Sequence, residues 1–135
     1  MKKIFVAAFM LLLFHVANSQ VMSNKPQTII IKSANLRCWE CKERLDKYLL
    51  IQNKSYLESG IIEWKIDLLK GELKIKFLPD RVTIEDIKVS INNAGFDTDD
   101  EKAELEAYKK LPSACKRAED GGGPKKGMPC HNQPY

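Results

Sequence analysis

The period of the apolar positions changes several times along the chain, and each change marks an element. Thr28-Ile29-Ile30-Ile31-Lys32 is short, β-branched and bounded by polar residues, which predicts a largely buried strand. Residues 33–38 read as a loop. Over 39–51 the period becomes helical: Cys41, Leu45, Tyr48 and Leu49 recur at four and three, and Glu43 stands four residues before Lys47 on the charged face. Past Gly60 the period is two, with Ile62, Trp64, Ile66 and Leu68 on one face and Glu63, Lys65 and Asp67 on the other. Lys70-Gly71 turns the chain, and Leu73, Ile75 and Phe77 then alternate with Lys74 and Lys76, which predicts a hairpin. Pro79 stops its second strand. Thr83 and Asp86 have the spacing of a capping box for a helix carrying Ile84, Ile87 and Ile91 and closed by Ala94-Gly95. Residues 96–98 suit a short last strand, and 99–110 a further helix anchored by Leu105 and Tyr108.

Strand, helix, hairpin, helix and short strand make a β-α-β-β-α-β chain, an α+β fold of the ferredoxin-like kind with a C-terminal helix and a flexible tail. The hairpin's one-sided alternation predicts a sheet covered on one face and wet on the other. No internal repeat is visible, so the domain occurs once.

The amino end is of a different nature. Met1-Lys2-Lys3 is basic, residues 4–16 are almost uniformly apolar, and Ala17-Asn18-Ser19 places small residues before Gln20. This is the pattern of a cleaved secretory signal peptide, and the apolar run is too short for a retained membrane anchor. Cleavage would leave 116 of the 135 residues and, with Lys2 and Lys3 gone, lower the net charge from +4 to +2. Such a chain holds one domain and is too short for a two-lobed enzyme with a deep cleft. Its near-neutral balance, without a basic stripe interleaved with aromatics, argues against nucleic acid as a partner. The expected division is a signal peptide at 1–19, a polar lead at 20–27, the domain at 28–100, a helical extension at 101–117 and a disordered Gly-, Pro- and Lys-rich tail at 118–135.

An exported chain, periplasmic or secreted, has to account for its four cysteines, because thiols outside the cytosol form disulfides or hold metal. Cys38-Trp39-Glu40-Cys41 falls where the first strand has ended and the first helix begins. Helix N–H groups and the positive end of the dipole there stabilise thiolates, which are soft ligands suited to Cu(I), Hg(II) or Zn(II). Two other readings stand beside metal binding: a disulfide between Cys38 and Cys41, and a thiol–disulfide redox pair. Cys115 and Cys130 invite a disulfide closing about 15 residues. Met128, Cys130 and His131, with Cys115, are an auxiliary soft-metal cluster to be tested.

The placement of this C-x-x-C in this element order resembles the heavy-metal-associated domain, the fold of copper chaperones, of the N-terminal modules of metal-pumping ATPases and of periplasmic mercury-binding proteins. The resemblance spans about residues 28–98. The family loop reads Gly-Met-x-Cys-x-x-Cys; here it is Asn35-Leu36-Arg37-Cys38-Trp39-Glu40-Cys41. It implies that Cys38 and Cys41 are the metal ligands, that Leu36 takes the place of a buried Met, and that Asn35 replaces Gly because Asn tolerates unusual backbone angles. Phe96, after Ala94-Gly95, matches an aromatic of the loop facing the metal and would shield the sulfurs without ligating. Residues 107–115, Ala-Tyr-Lys-Lys-Leu-Pro-Ser-Ala-Cys, resemble a segment that ends in Cys-Cys in some exported members; Ala114 stands where the first of those cysteines would be.

These features predict a non-enzymatic, exported metal-binding protein. Cu(I) is the first expectation, with Hg(II) and Zn(II) after it, captured in an exposed loop and passed to a metal transporter or another metal-binding domain. No Ser-His-Asp set, paired catalytic carboxylates or phosphate-binding glycine loop is present, and no stable membrane insertion is expected once the signal is removed. The alternatives are a periplasmic thiol–disulfide redox protein and a metal-free domain that binds partners through its charged sheet face.

Overall fold

In the computed structural model, residues 25–99, 101–124 and 130 are described. The signal peptide at 1–19, and Met128 and His131 of the auxiliary cluster, lie outside them.

Strand β1 (Gln27–Lys32) pairs antiparallel with β3 (Glu72–Phe77), which pairs antiparallel with β2 (Ile61–Asp67), so the sheet order is β1-β3-β2. Helix α1 (Trp39–Ser55) joins β1 to β2, and α2 (Ile84–Asn93) follows β3. Consecutive strands β1 and β2 thus flank β3, the split β-α-β of the ferredoxin-like arrangement. Ile31, Leu73, Ile75 and Phe77 face Cys41, Leu45 and Leu49 of α1 and Ile87 and Ile91 of α2 in one core cluster. The opposite face carries Thr28, Lys65, Lys74 and Lys76, all exposed or half-exposed. One buried face and one wet face follow from strict alternation, since neighbouring side chains leave a strand in opposite directions.

Local chemistry sets the ends of these elements. Thr83 and Asp86 close a reciprocal capping box, with the Asp86 N–H on Thr83 Oγ1 at 3.1 Å and the Thr83 N–H on Asp86 Oδ2 at 3.1 Å. These bonds from Thr83 hold the Asp86 carboxyl below its ordinary pKa. Gly71 takes φ +65° in the hairpin turn, and a Cβ there would lie 2.8 Å from the Ser33 carbonyl oxygen. Asn53 of α1 clamps the start of β2, donating to the Ile61 carbonyl and accepting from the Ile61 N–H, both at 2.9 Å.

Four expectations are corrected. Strand β2 carries a bulge: Ile61 opposes Phe77 and Glu63 opposes Lys76, leaving Ile62 as the extra residue. Ile61 therefore enters the core and Ile62 is 47% exposed, where unbroken alternation had placed Ile62 inside. Among the described residues no fourth strand joins the sheet. Thr98 makes an isolated bridge with Glu101, and only Asp99 reaches β1, exchanging bonds with Lys32. The backbone donors a ladder would use are taken elsewhere: the Asp97 N–H goes to Asn35 Oδ1 and the Thr98 N–H to the Glu101 carbonyl. The last helix is short, α3 (Leu105–Lys109), with Leu105 60% exposed and Tyr108 and Leu111 as its buried anchors. Finally, ordered turns extend past 117: Ser113–Cys115 and Ala118–Asp120 are 3-10 turns, so the described part of the tail is not structureless.

Candidate metal centre

Helix α1 begins at Trp39 with Cys38 as its N-cap residue and Cys41 at the third helical position. No side chain caps this end; instead the Cys38 carbonyl accepts from the N–H groups of Cys41 and Lys42, each at 3.1 Å. The two sulfurs therefore sit at the positive end of a helix of 17 residues. Leu36 and Phe96 are fully buried in the same cluster as Cys38 and Cys41. Lys42 holds its ammonium 4.8 Å above the Trp39 ring, whose indole N–H is buried without an acceptor among the described residues.

The cysteines are brought together, but not in either pairing expected from spacing. Cys38 is bonded to Cys130 and Cys41 to Cys115, with Cα–Cα distances of 5.1 and 5.5 Å. Neither a Cys38–Cys41 bond nor a Cys115–Cys130 bond forms. The physical reason lies in the extension. The chain from 101 to 115 returns across the start of α1 and sets Cys115 against Cys41. The exposed loop expected for metal capture is also corrected: Cys38 and Cys41 are 1% and 0% exposed, and Cys115 is 0% exposed. Among the described residues, no three His, Cys, Asp or Glu side chains stand ready to hold an ion in this disulfide-bonded form.

Asn35 is the polar centre of this arrangement. It is buried, and its amide donates to the carbonyls of Gly95 at 3.1 Å and Cys115 at 2.9 Å. Its Oδ1 accepts from the Asp97 N–H at 2.9 Å and the Ser33 hydroxyl at 3.3 Å. Asn35 does not adopt a positive φ, so its presence where the resembling loops have Gly reflects the side chain's four bonds and not backbone freedom.

A second lock lies beside it. Arg117 donates from Nε and Nη2 to the two oxygens of Asp97 at 2.7 and 2.5 Å, a bidentate pair with both side chains nearly buried. This bonding to Asp97 raises the guanidinium pKa further above its ordinary value. The Arg117 guanidinium also lies 4.1 Å from the Tyr108 ring centroid, and the Tyr108 hydroxyl accepts from the Arg117 N–H at 2.8 Å and donates to Asp120 at 2.5 Å. Burial pushes the Tyr108 hydroxyl up, and the bond from Tyr108 holds the Asp120 carboxyl down. Sequence reading missed Asn35 as a bridge and Asp97 and Arg117 as a pair. The Asn in a Gly position was the one visible signal; nothing in the sequence marked residues 97 and 117 as neighbours.

No helix among the described residues is long and apolar enough to cross a membrane. No family model matches the chain, and no curated protein does. Among solved structures the chain is similar to oxidised MerP from Ralstonia metallidurans CH34, at 15% identity over 56% of this chain and 96% of that one, with a TM-score of 0.47. It is similar to the CopZ metallochaperone at 18% identity over 54% and 100%, with a TM-score of 0.46. A copper binding domain from HMA7, a P-type ATPase, aligns at 26% identity over 53% and 89%, with a TM-score of 0.46.

Proposed function

We propose that the chain is an exported, non-enzymatic protein that captures a soft metal ion through Cys38 and Cys41 and passes it on. The observation that carries this reading is the placement of both cysteines at the uncapped N-terminus of α1, directly after β1 in a β-α-β-β-α order. Once reduced, two sulfurs at that position gain from the helix dipole and from the nearby N–H groups, which favours thiolate over thiol. Thiolates select Cu(I), Hg(II) or Zn(II) over hard cations, with Cu(I) the first choice. Release would go by ligand exchange, an incoming thiolate of a transporter or of another metal-binding domain replacing one sulfur at a time. Export is supported by the basic, apolar and small-residue pattern of the amino end and by two disulfides that suit an oxidising compartment.

The deciding experiment is competition titration of the reduced full chain with Cu(I). Wild type should hold the ion tightly, and Cys38→Ser with Cys41→Ser should weaken binding by orders of magnitude; equal affinities would place the site elsewhere. Proton competition for the sulfurs should weaken binding in acid.

One observation favours a second reading. Each cysteine of the motif is joined to a partner of the extension, as in a protein that exchanges disulfides. Reduction of insulin by the chain at a rate comparable to that of a dedicated oxidoreductase would favour it.

A further inference from the structure

Both disulfides join the start of α1 to the extension, and the extension around Cys115 is held by more than its disulfide. The Cys115 carbonyl accepts from Asn35, the Cys115 N–H closes a turn on the Pro112 carbonyl at 2.9 Å, and Arg117 is fixed to Asp97 two residues later. Leu111 and Tyr108 are buried against the domain. Opening the Cys41–Cys115 bond therefore leaves Cys115 positioned with its Cα 5.5 Å from that of Cys41. Cys130 packs against the same cluster.

We propose that Cys115 and Cys130 are further ligands, so that the reduced chain holds a soft ion in a closed site of three or four sulfurs. This rests on the metal-binding reading of Cys38 and Cys41 and changes what kind of site they form. Tetrahedral zinc with bonds of about 2.3 Å places its sulfurs roughly 3.8 Å apart. Cysteines already close enough to be disulfide-bonded need only side-chain rotation to reach that separation. Cys38 Sγ also faces the Ala114 carbonyl at 3.6 Å, so the residue before Cys115 lies against the first motif sulfur. The cysteine pairing supplies the geometry: each pair joins one motif sulfur to one extension sulfur, and the two motif cysteines stand three residues apart at the start of one helix.

Each disulfide takes two electrons and two protons from one external dithiol, which leaves as its own disulfide, so two dithiols yield four protein thiols. Zn(II) or Cu(I) then displaces a proton from each sulfur it binds, with no change of oxidation state. With Cys38, Cys41 and Cys115 buried, such a site would exchange ions more slowly than an open pair, and an incoming thiolate would displace the partly exposed Cys130 first.

Zinc is the probe of choice, because its preference for four ligands reports how many sulfurs are within reach. The full chain is reduced without oxygen, freed of reductant, loaded with one equivalent of Zn(II) and isolated as a monomer. X-ray absorption at the zinc edge should count three or four sulfurs; two sulfurs with oxygen or nitrogen completing the shell would overturn the proposal. In parallel, Cys115→Ser with Cys130→Ser should lower zinc affinity at least about tenfold, equivalent to ~1.4 kcal/mol. Unchanged affinity in that variant, with binding lost in Cys38→Ser plus Cys41→Ser, would overturn the four-sulfur site while leaving the two-cysteine reading intact. Failure of the wild-type chain to bind either zinc or Cu(I) would overturn both.

Discussion

Asn35 shows how much can rest on one side chain. Its amide uses every donor and acceptor it has, on partners 2 to 80 residues away in sequence. Truncation to Ala would strand the Asp97 N–H and two carbonyls in a dry interior, each costing about 1–3 kcal/mol when unsatisfied. Asn35→Ala should therefore lower the unfolding free energy of the oxidised chain by about 3 kcal/mol in chemical denaturation. Leu69→Ala is the control: Leu69 is 91% exposed, and its loss should stay within about 0.5 kcal/mol. Gly95 is the other residue with little freedom. It has φ +94°, and a Cβ there would meet the Ala107 carbonyl oxygen and Leu111 Cγ at 3.0 Å. Gly95→Ala combines backbone strain with a push on the extension and should cost about 2 kcal/mol by the same measurement. The sequence marked Gly95 as a helix stop, which it is. That a second segment packs against it was not visible, because the contact joins residues a dozen apart through a return of the chain that no local pattern encodes.

Among the elements, those with strong internal periodicity were legible, and those held by side-chain polar bonds were not. Helix α1, the hairpin and α2 follow from spacing alone, down to the Thr83–Asp86 box. The bulge at Ile62 was hidden because Ile61 and Ile62 are both apolar, and either could have led the alternation. The segment after α2 failed as a strand because the backbone N–H groups of Asp97 and Thr98 go to Asn35 and to the Glu101 carbonyl, which leaves only Asp99 to reach β1. The carboxyls of Asp86, Glu104 and Asp120 are all held below the ordinary value, by bonds from Thr83, from the Ala107 N–H and from Tyr108 respectively. A depressed carboxyl stabilises the fold above its unfolded-state pKa, and that contribution is lost as the pH falls through the lowered value. Thr83→Ala should move the Asp86 carboxyl upward toward its unfolded value, and Tyr108→Phe should do the same for Asp120. Carboxyl NMR titration of the two variants checks both; a carboxyl that does not move would mean that the hydroxyl bond is not what holds it. Thr83→Ala should in addition cost about 1 kcal/mol as a lost helix cap.

At the scale of the whole molecule, the extension is part of the core rather than an appendage. It supplies Tyr108, Leu111 and Cys115 to the buried cluster and closes over the motif it was expected to trail behind. The placement of the C-x-x-C at a helix start was readable from the sequence, since it follows from local periodicity and needs no tertiary information. The partners of its two cysteines were not readable, because which of several sulfurs meet is decided by the path of the chain and not by spacing. The disulfides span separations of 92 and 74 residues, one loop nested within the other. In the chain-entropy model either bond alone contributes about 4.5 kcal/mol, and nesting makes the pair worth less than twice that. Reduction of the metal-free chain should therefore shift its denaturation midpoint markedly downward, and restoring a soft ion should recover much of the loss, because an ion that binds only the folded form stabilises it. The most direct measurement of the central claim is native mass spectrometry of the full chain offered Cu(I) before and after reduction. The oxidised chain, four hydrogens lighter for its two disulfides, should carry no copper, and the reduced chain should carry it. Equal copper loading of the two forms would contradict the claim.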